Sequence, residues 1–367
     1  MAVFRTDEVQ DADLEVASLE QASSASGSTL TFFSATVAIF MVSYVISHFG
    51  TVSWLDTVIR YIAMISLPVM LVLAAGLKPV RSTILRFWRR KPLAAIGMIV
   101  IVLAVATDVY ADYVAPHDPE GVGVAKCESG DKTTRKFCGP GTAGAPLGTD
   151  NIGRDVLSRL IHGARISMYV GLMTVLIGIT IGTVIGIGSA YSGGVFDIVV
   201  QRLVDALMGF PPIILALGLM AALGASINNV VIALVVILVP GATRVIRSEA
   251  LRIKELDYIL ASRSIGANPV RIMIQHILPN VIATYIVLMT ITLGFAIVVE
   301  ASLSFLGVGV PEGVPTWGSM LEIGRAHIDE QGWLVVFPGI AIAAVVFAVN
   351  FLGDGLRDVL DPRLRGR

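Results

Sequence analysis

The feature that most constrains this chain is a series of apolar runs, each about as long as a bilayer is thick, separated by short polar connections. Crossing about 30 Å of hydrocarbon takes roughly 20 apolar residues in a helix, because every backbone N–H and C=O must be bonded within the segment. Eight runs meet that length, at 31–48, 57–77, 93–113, 166–190, 199–223, 228–246, 281–300 and 333–353. With 55% hydrophobic and 15% charged residues and a mean hydropathy of +0.79, the chain reads as an all-α polytopic membrane protein.

The connections set the orientation. Lys78, Arg81, Arg86, Arg89, Arg90 and Lys91 fall between the second and third runs, and Arg244, at the end of the sixth, is followed by Arg247, Arg252, Lys254, Arg263 and Arg271 before the seventh. Arg357, Arg363, Arg365 and Arg367 close the chain. Eight crossings put all three clusters on one side, which the positive-inside rule makes cytoplasmic, with both termini there. Residues 1–29 carry six acidic residues against Arg5 and read as a solvated cytoplasmic tail. The full division is that tail, two helices in 30–77, a basic linker 78–92, a helix 93–113, an extracytoplasmic loop 114–165, a helical body 166–353 and a basic tail 354–367. No basic block is interleaved with aromatics, so nucleic acid is not indicated and lipid is the surrounding phase.

A long polar interruption runs from Glu249 to Asn280 between two apolar runs. Leu256, Ile259 and Leu260 recur there at helical spacing, with Glu255, Asp257, Ser262 and Arg263 elsewhere on the wheel, which describes a short amphipathic helix. Gly266 permits a turn, and a second segment from Pro269 to Leu278 leads into Pro279 at the start of the next span. Such a unit is either a docking surface for another protein or a solvated connection.

Other stretches also leave two readings. Gly178, Gly182 and Gly186 lie on one helix face and allow close approach, within the subunit or against a partner. Arg202 and Asp205 can pair three residues apart. Phe210, Pro211 and Pro212 should kink or interrupt the fifth run, as structure alone or as a border of a pathway. Glu300 falls at the outer boundary, where it shapes a cavity exit or bonds a neighbouring loop. A short helix is expected around Ser319 to Ala326. Cys127 and Cys138, the two cysteines, share the outer loop as a disulfide or as free thiols; a bond would contribute roughly 3 kcal/mol in the chain-entropy model.

Four stretches resemble one family, the C-type permeases of dipeptide, oligopeptide and nickel ABC importers. Pro146–Ser167, PLGTDNIGRDVLSRLIHGARIS, is similar to its G-T-D-x-x-G-R-D run followed by S-R, Gly and R-x-S. Glu300–Leu321 is similar to its E-A-S-L-S-F-L-G and W-G-S-M-L segments, and Arg86–Ile101 to its start. The 249–280 loop resembles the coupling loop that contacts the ATPase, with Ala261, Ser262, Gly266, His276, Leu278 and Pro279 at matching positions. Leu260 stands where the family has Glu, and Ser262 where it has a second Ala. The resemblance covers about 81–362 and implies a six-helix permease core, so the two N-terminal helices are additional.

It further implies a second related permease subunit, two ATPase subunits or domains holding ATP and Mg, and an extracytoplasmic substrate-binding protein. Coupling would then run through Glu255, Leu256, Ile259, Leu260, Ala261, Ser262, Gly266 and Ala267, in a prokaryotic cell membrane. The chain has no Gly-Lys pair and therefore no G-x-x-x-x-G-K-[ST] phosphate loop. Its five histidines are scattered, with no catalytic grouping or metal set, so neither an enzyme nor a cofactor of its own is expected. The importer would move di- or oligopeptides; nickel or another small solute is the nearest alternative. An ion-coupled secondary transporter would call for inverted repeats and mid-span ionisable residues, which the runs lack.

Overall fold

The computed structural model describes residues 91–124 and 135–360, together with 42, 64, 65, 67–69 and 88. The acidic tail 1–29, most of the expected helices at 31–48 and 57–77, most of the basic linker, Cys127 and the end of the basic tail lie outside the described residues. Residues from Leu93 onward form one compact unit. Its helices are α1 (Pro92–Val109), α2 (Ala111–Val114), α3 (Val156–Ser192), α4 (Gly194–Met208), α5 (Pro212–Leu223), α6 (Ile227–Lys254), α7 (Asp257–Ser264), α8 (Pro269–Ile272), α9 (Leu278–Phe305), α10 (Trp317–Arg325) and α11 (Trp333–Leu360). A π turn, Met273–Ile277, joins α8 to α9. Among the described residues the extended pairings are isolated bridges, Val122 with Arg154, Thr142 with Ala145 and Thr149 with Asp155.

Among the described residues five segments are long and apolar enough to cross a membrane, and α4 with α5 makes a sixth if the bent pair is one span. The expected spans from 93 onward are therefore found, but several helices outrun the apolar segments. α3 begins at Val156, ten residues before the expected start, and its 37 residues reach about 55 Å. Asp155 caps it, its carboxylate accepting from the Leu157 and Ser158 amides, and Gly193 at φ 65° ends it. That cap satisfies the first amides of α3, so the helix begins inside the stretch 114–165 and shortens that connection. At the other end α6 runs on to Lys254 and the seventh span starts in effect at Pro269, which contracts the polar connection to residues 255–268.

The fifth run is interrupted as its prolines require. α4 and α5 meet at 91° across Gly209–Pro211, and Pro212 occupies the first turn of α5.

The most extensive packing is between α3 and α6. Gly178, Gly182 and Gly186 form this seam, so their close approach is made inside the subunit. Gly178 lies against Leu238 and Val235, Gly182 against Ala242, Val239 and Thr243, and Gly186 against Thr243, Ile246 and Arg247. α9 packs on both α3 and α11, and α10 wedges against α9 and α11. Trp317 of α10 is buried, and its Nε1 donates to the Leu160 carbonyl of α3 at 3.0 Å. Thr316 and Ser319 close a reciprocal capping box at the start of α10, two residues ahead of the expected helix.

Candidate functional site: a mounted amphipathic helix

α7 owes its position to both ends. Leu256 enters it in an extended conformation, and Gly266, at φ +78°, turns the chain out of it. The Gly266 amide donates to the Arg263 carbonyl at 2.9 Å and the Ala267 amide to the Ser262 carbonyl at 3.1 Å, closing the C-terminal turn. Asn268 then caps α8, its side chain accepting from the Val270 amide at 2.9 Å, with Pro269 in the first turn.

The helix has two faces. Ile259 is fully buried in a cluster with Ile253, Ile272 and Ile277, joined by Ile187 and Ala190 of α3. Expected on a docking face, it is instead the peg that fastens α7 to the helical body: in so short a helix one apolar position must satisfy the core. Leu256, Tyr258, Leu260 and Ala261 are exposed, as is Glu255, and Ile265 is 85% exposed. Ser262 turns back, its hydroxyl donating to the Tyr258 carbonyl at 2.8 Å. Val270 and Ile274 extend the exposed apolar surface onto α8 and the π turn. Asn280, at the start of α9, donates to the Tyr258 hydroxyl at 3.2 Å and to the His276 carbonyl at 2.6 Å, tying the π turn to α7.

Contacts from both α6 and α7 reach the end of α3, and none is visible from sequence spacing. The Arg263 guanidinium lies 5.0 Å from the centre of the Tyr191 ring, and Lys254 Nζ lies 5.9 Å from it. Lys254 also donates to the last carbonyls of α3, Ala190 at 3.0 Å and Tyr191 at 2.9 Å. Nearby, Asp197 of α4 accepts from Arg247 Nε at 2.7 Å and Nη2 at 2.5 Å, and from the Ser189 hydroxyl. Like these, Arg244 was missing from the candidate residues. It pairs with Asp205 at 2.5 Å, closer than the 3.6 Å Arg202–Asp205 pair that spacing indicated. Arg202 is exposed, and Phe210 and Pro211 stand exposed at the α4–α5 break.

The Pro146–Ser167 motif is a closed clasp. The Asp150 carboxylate accepts from the Ile152 and Arg154 amides at 3.0 and 2.9 Å and from Arg154 Nε at 2.6 Å, while Arg159 Nη1 donates to the Pro119 carbonyl at 3.2 Å. Thr149 Oγ1 accepts from the Cys138 amide and donates to the Arg135 carbonyl, each at 2.9 Å. Cys138 is buried and disulfide-bonded. Glu300 is fully buried and accepts from the Ser304 hydroxyl at 2.9 Å, so it is bonded inside the subunit rather than open to solvent. The fold brings together two histidines that are far apart in sequence. His117 and His162 line a cavity of about 520 Å³ with Asp112 and Asp118, and each is already engaged, His162 with Asp112 at 3.3 Å and His117 with Asp155 at 3.6 Å.

Among the described residues, apolar helices sufficient for five or six crossings, one of them sharply broken, and a short helix pegged between two spans define a polytopic membrane protein. The chain belongs to the family described as binding-protein-dependent transport system inner membrane component, whose model matches residues 178–366. It is similar to a peptide transport system permease protein of Brucella suis biovar 1, 40% identical over 290 residues, covering 79% of this chain and 94% of that one. It is also similar to the glutathione transport system permease protein GsiD of Pectobacterium atrosepticum, 38% identical over 291 residues, covering 78% and 94%. A solved structure of the MetNI methionine ABC transporter, inward facing, aligns with a TM-score of 0.47 at 18% identity, over 55% of this chain and 96% of that one. The resemblance seen in Pro146–Ser167 and Glu300–Leu321 is borne out at the level of the family.

Proposed function

We propose that this chain is one permease subunit of an ABC importer that moves di- or oligopeptides into a prokaryotic cell by alternating access. It pairs with a second related permease, takes substrate from an extracytoplasmic binding protein, and docks ATPase subunits, which hold ATP and Mg, on the cytoplasmic face. Both termini are cytoplasmic, and Cys127 pairs with Cys138 outside. The observation that carries this reading is the exposed apolar set Leu256, Tyr258, Leu260 and Ile265, held on a helix whose opposite face is pegged into the body by Ile259. An apolar patch on a solvated helix marks a protein contact, and a rigid mount turns force at that contact into displacement of α3 and α6. The peptide assignment rests on the names of the relatives, one a peptide and one a glutathione permease.

Affinity purification of the tagged chain in mild detergent, followed by mass spectrometry, tests the partners. Wild type should carry a second permease and ATPase subunits. Leu260→Glu should keep the permease and lose most of the ATPase, because an exposed apolar contact becomes a desolvated charge. Equal ATPase recovery with Leu260→Glu would refute the docking assignment.

A further inference from the structure

Leu256 and Leu260 stand four residues apart on the exposed face of the α7 segment, and Ile259 and Arg263 stand four apart on the other. Ile259 fills a core position and Asn280 bonds the Tyr258 hydroxyl, but neither gives α7 a charged contact with the last turn of α3. Arg263 supplies one. Among the described residues it forms no ion pair; its guanidinium lies 5.0 Å from the Tyr191 ring centre, and it is only half-exposed despite belonging to a cytoplasmic connection. Tyr191 is in the last turn of α3, and Lys254, the last residue of α6, reaches both its ring and its carbonyl. One aromatic ring thus touches cations from α6 and α7 while its own backbone belongs to α3. A guanidinium over an aromatic face is an attractive and orientation-dependent contact.

We propose that Tyr191 is a positioning residue that fixes the rotation of α7 against the ends of α3 and α6, so that displacement at the docking face reaches the spans instead of being absorbed in residues 255–268. This deepens the importer reading and rests on it. The ring face, rather than the hydroxyl, does the work. Tyr191→Phe therefore retains the function and Tyr191→Leu, which keeps apolar bulk, does not.

The test uses the complete complex in proteoliposomes with its binding protein, comparing wild type, Tyr191→Phe, Tyr191→Leu, Arg263→Gln and the Tyr191→Leu/Arg263→Gln double variant. The readout is peptide taken up per ATP hydrolysed. Tyr191→Leu and Arg263→Gln should each lower that ratio by about fivefold, the double variant should be no worse than either, and Tyr191→Phe should match wild type. A wild-type ratio in Tyr191→Leu, a Tyr191→Phe as impaired as Tyr191→Leu, or losses that multiply in the double variant would overturn the proposal. Should Tyr191→Leu fail to assemble, Arg263→Gln decides alone, and an unchanged ratio overturns it. A wild-type complex that takes up peptide without ATP would instead overturn the importer reading itself.

Discussion

Gly182→Ala adds one methyl group at the tightest point of the α3–α6 seam. The new Cβ would lie 2.5 Å from Ala242 Cβ, 3.0 Å from the Val239 carbonyl oxygen and 3.1 Å from the Thr243 amide nitrogen. Carbon atoms rest at about 3.5–4.0 Å, so the shortfall against Ala242 is about 1 Å. Two of the three obstructing atoms are backbone and cannot rotate away, which leaves separation of the helices as the main relief. Overpacking a close-packed interior costs about 1–3 kcal/mol, and backbone obstruction puts this case in the upper half of that range. Gly188→Ala on the same helix meets nothing within 4 Å and is the control. Thermal unfolding of the purified subunit in detergent should show Gly182→Ala destabilised by about 2 kcal/mol and Gly188→Ala unchanged or slightly stabilised. Ala242→Gly, which removes the closest of the three contacts, should restore part of the loss. Equal unfolding of the two alanine variants, or no effect of Ala242→Gly, would refute the seam argument.

Other consequences follow from the same geometry. Asp197→Asn should leave Arg247 half-buried with a weakened partner and lower stability by about 1–2 kcal/mol, whereas exchanging the two charges should recover part of it in a double-mutant cycle. Gly266→Val places a β-branched residue at φ +78°, a strained conformation costing about 1–2 kcal/mol, so ATPase recovery and uptake should fall together while the membrane spans keep their unfolding temperature. Reducing the Cys138 disulfide before unfolding should lower stability by about 2–4 kcal/mol, measured with and without reductant; an unchanged midpoint would remove it as a structural element.

The spans from 93 onward were legible because hydrophobic length in a bilayer is nearly a structural rule, and the 91° break was legible in Pro211 and Pro212. Helix ends were not. Hydropathy marks only the apolar stretch, whereas Asp155 carries α3 ten residues beyond it by satisfying its first amides. The glycine seam could be read from spacing, but its partner, α6, could not, since the fit depends on Ala242 and Thr243, small residues that spacing does not pair with it. In α7 the spacing of Leu256, Ile259 and Leu260 identified the helix without saying which residue faces inward. Burial of Ile259 is set by Ile253, Ile272 and Ile277 from neighbouring elements. Tyr191, Arg244 and Arg247 act through contacts between residues about 40 to 70 positions apart. An isolated Tyr or Arg in a connection carries no sequence signal for such a contact.

Uptake into proteoliposomes tests the central claim most directly. The purified complex containing this chain is reconstituted with its binding protein, labelled oligopeptide is supplied on that protein's side and ATP with Mg on the other, and accumulation is followed with and without nucleotide. The importer account predicts accumulation that requires ATP, its hydrolysis and the binding protein together, and that is unaffected by collapsing ion gradients. Uptake by the chain alone, driven by an ion gradient without ATP, would contradict it.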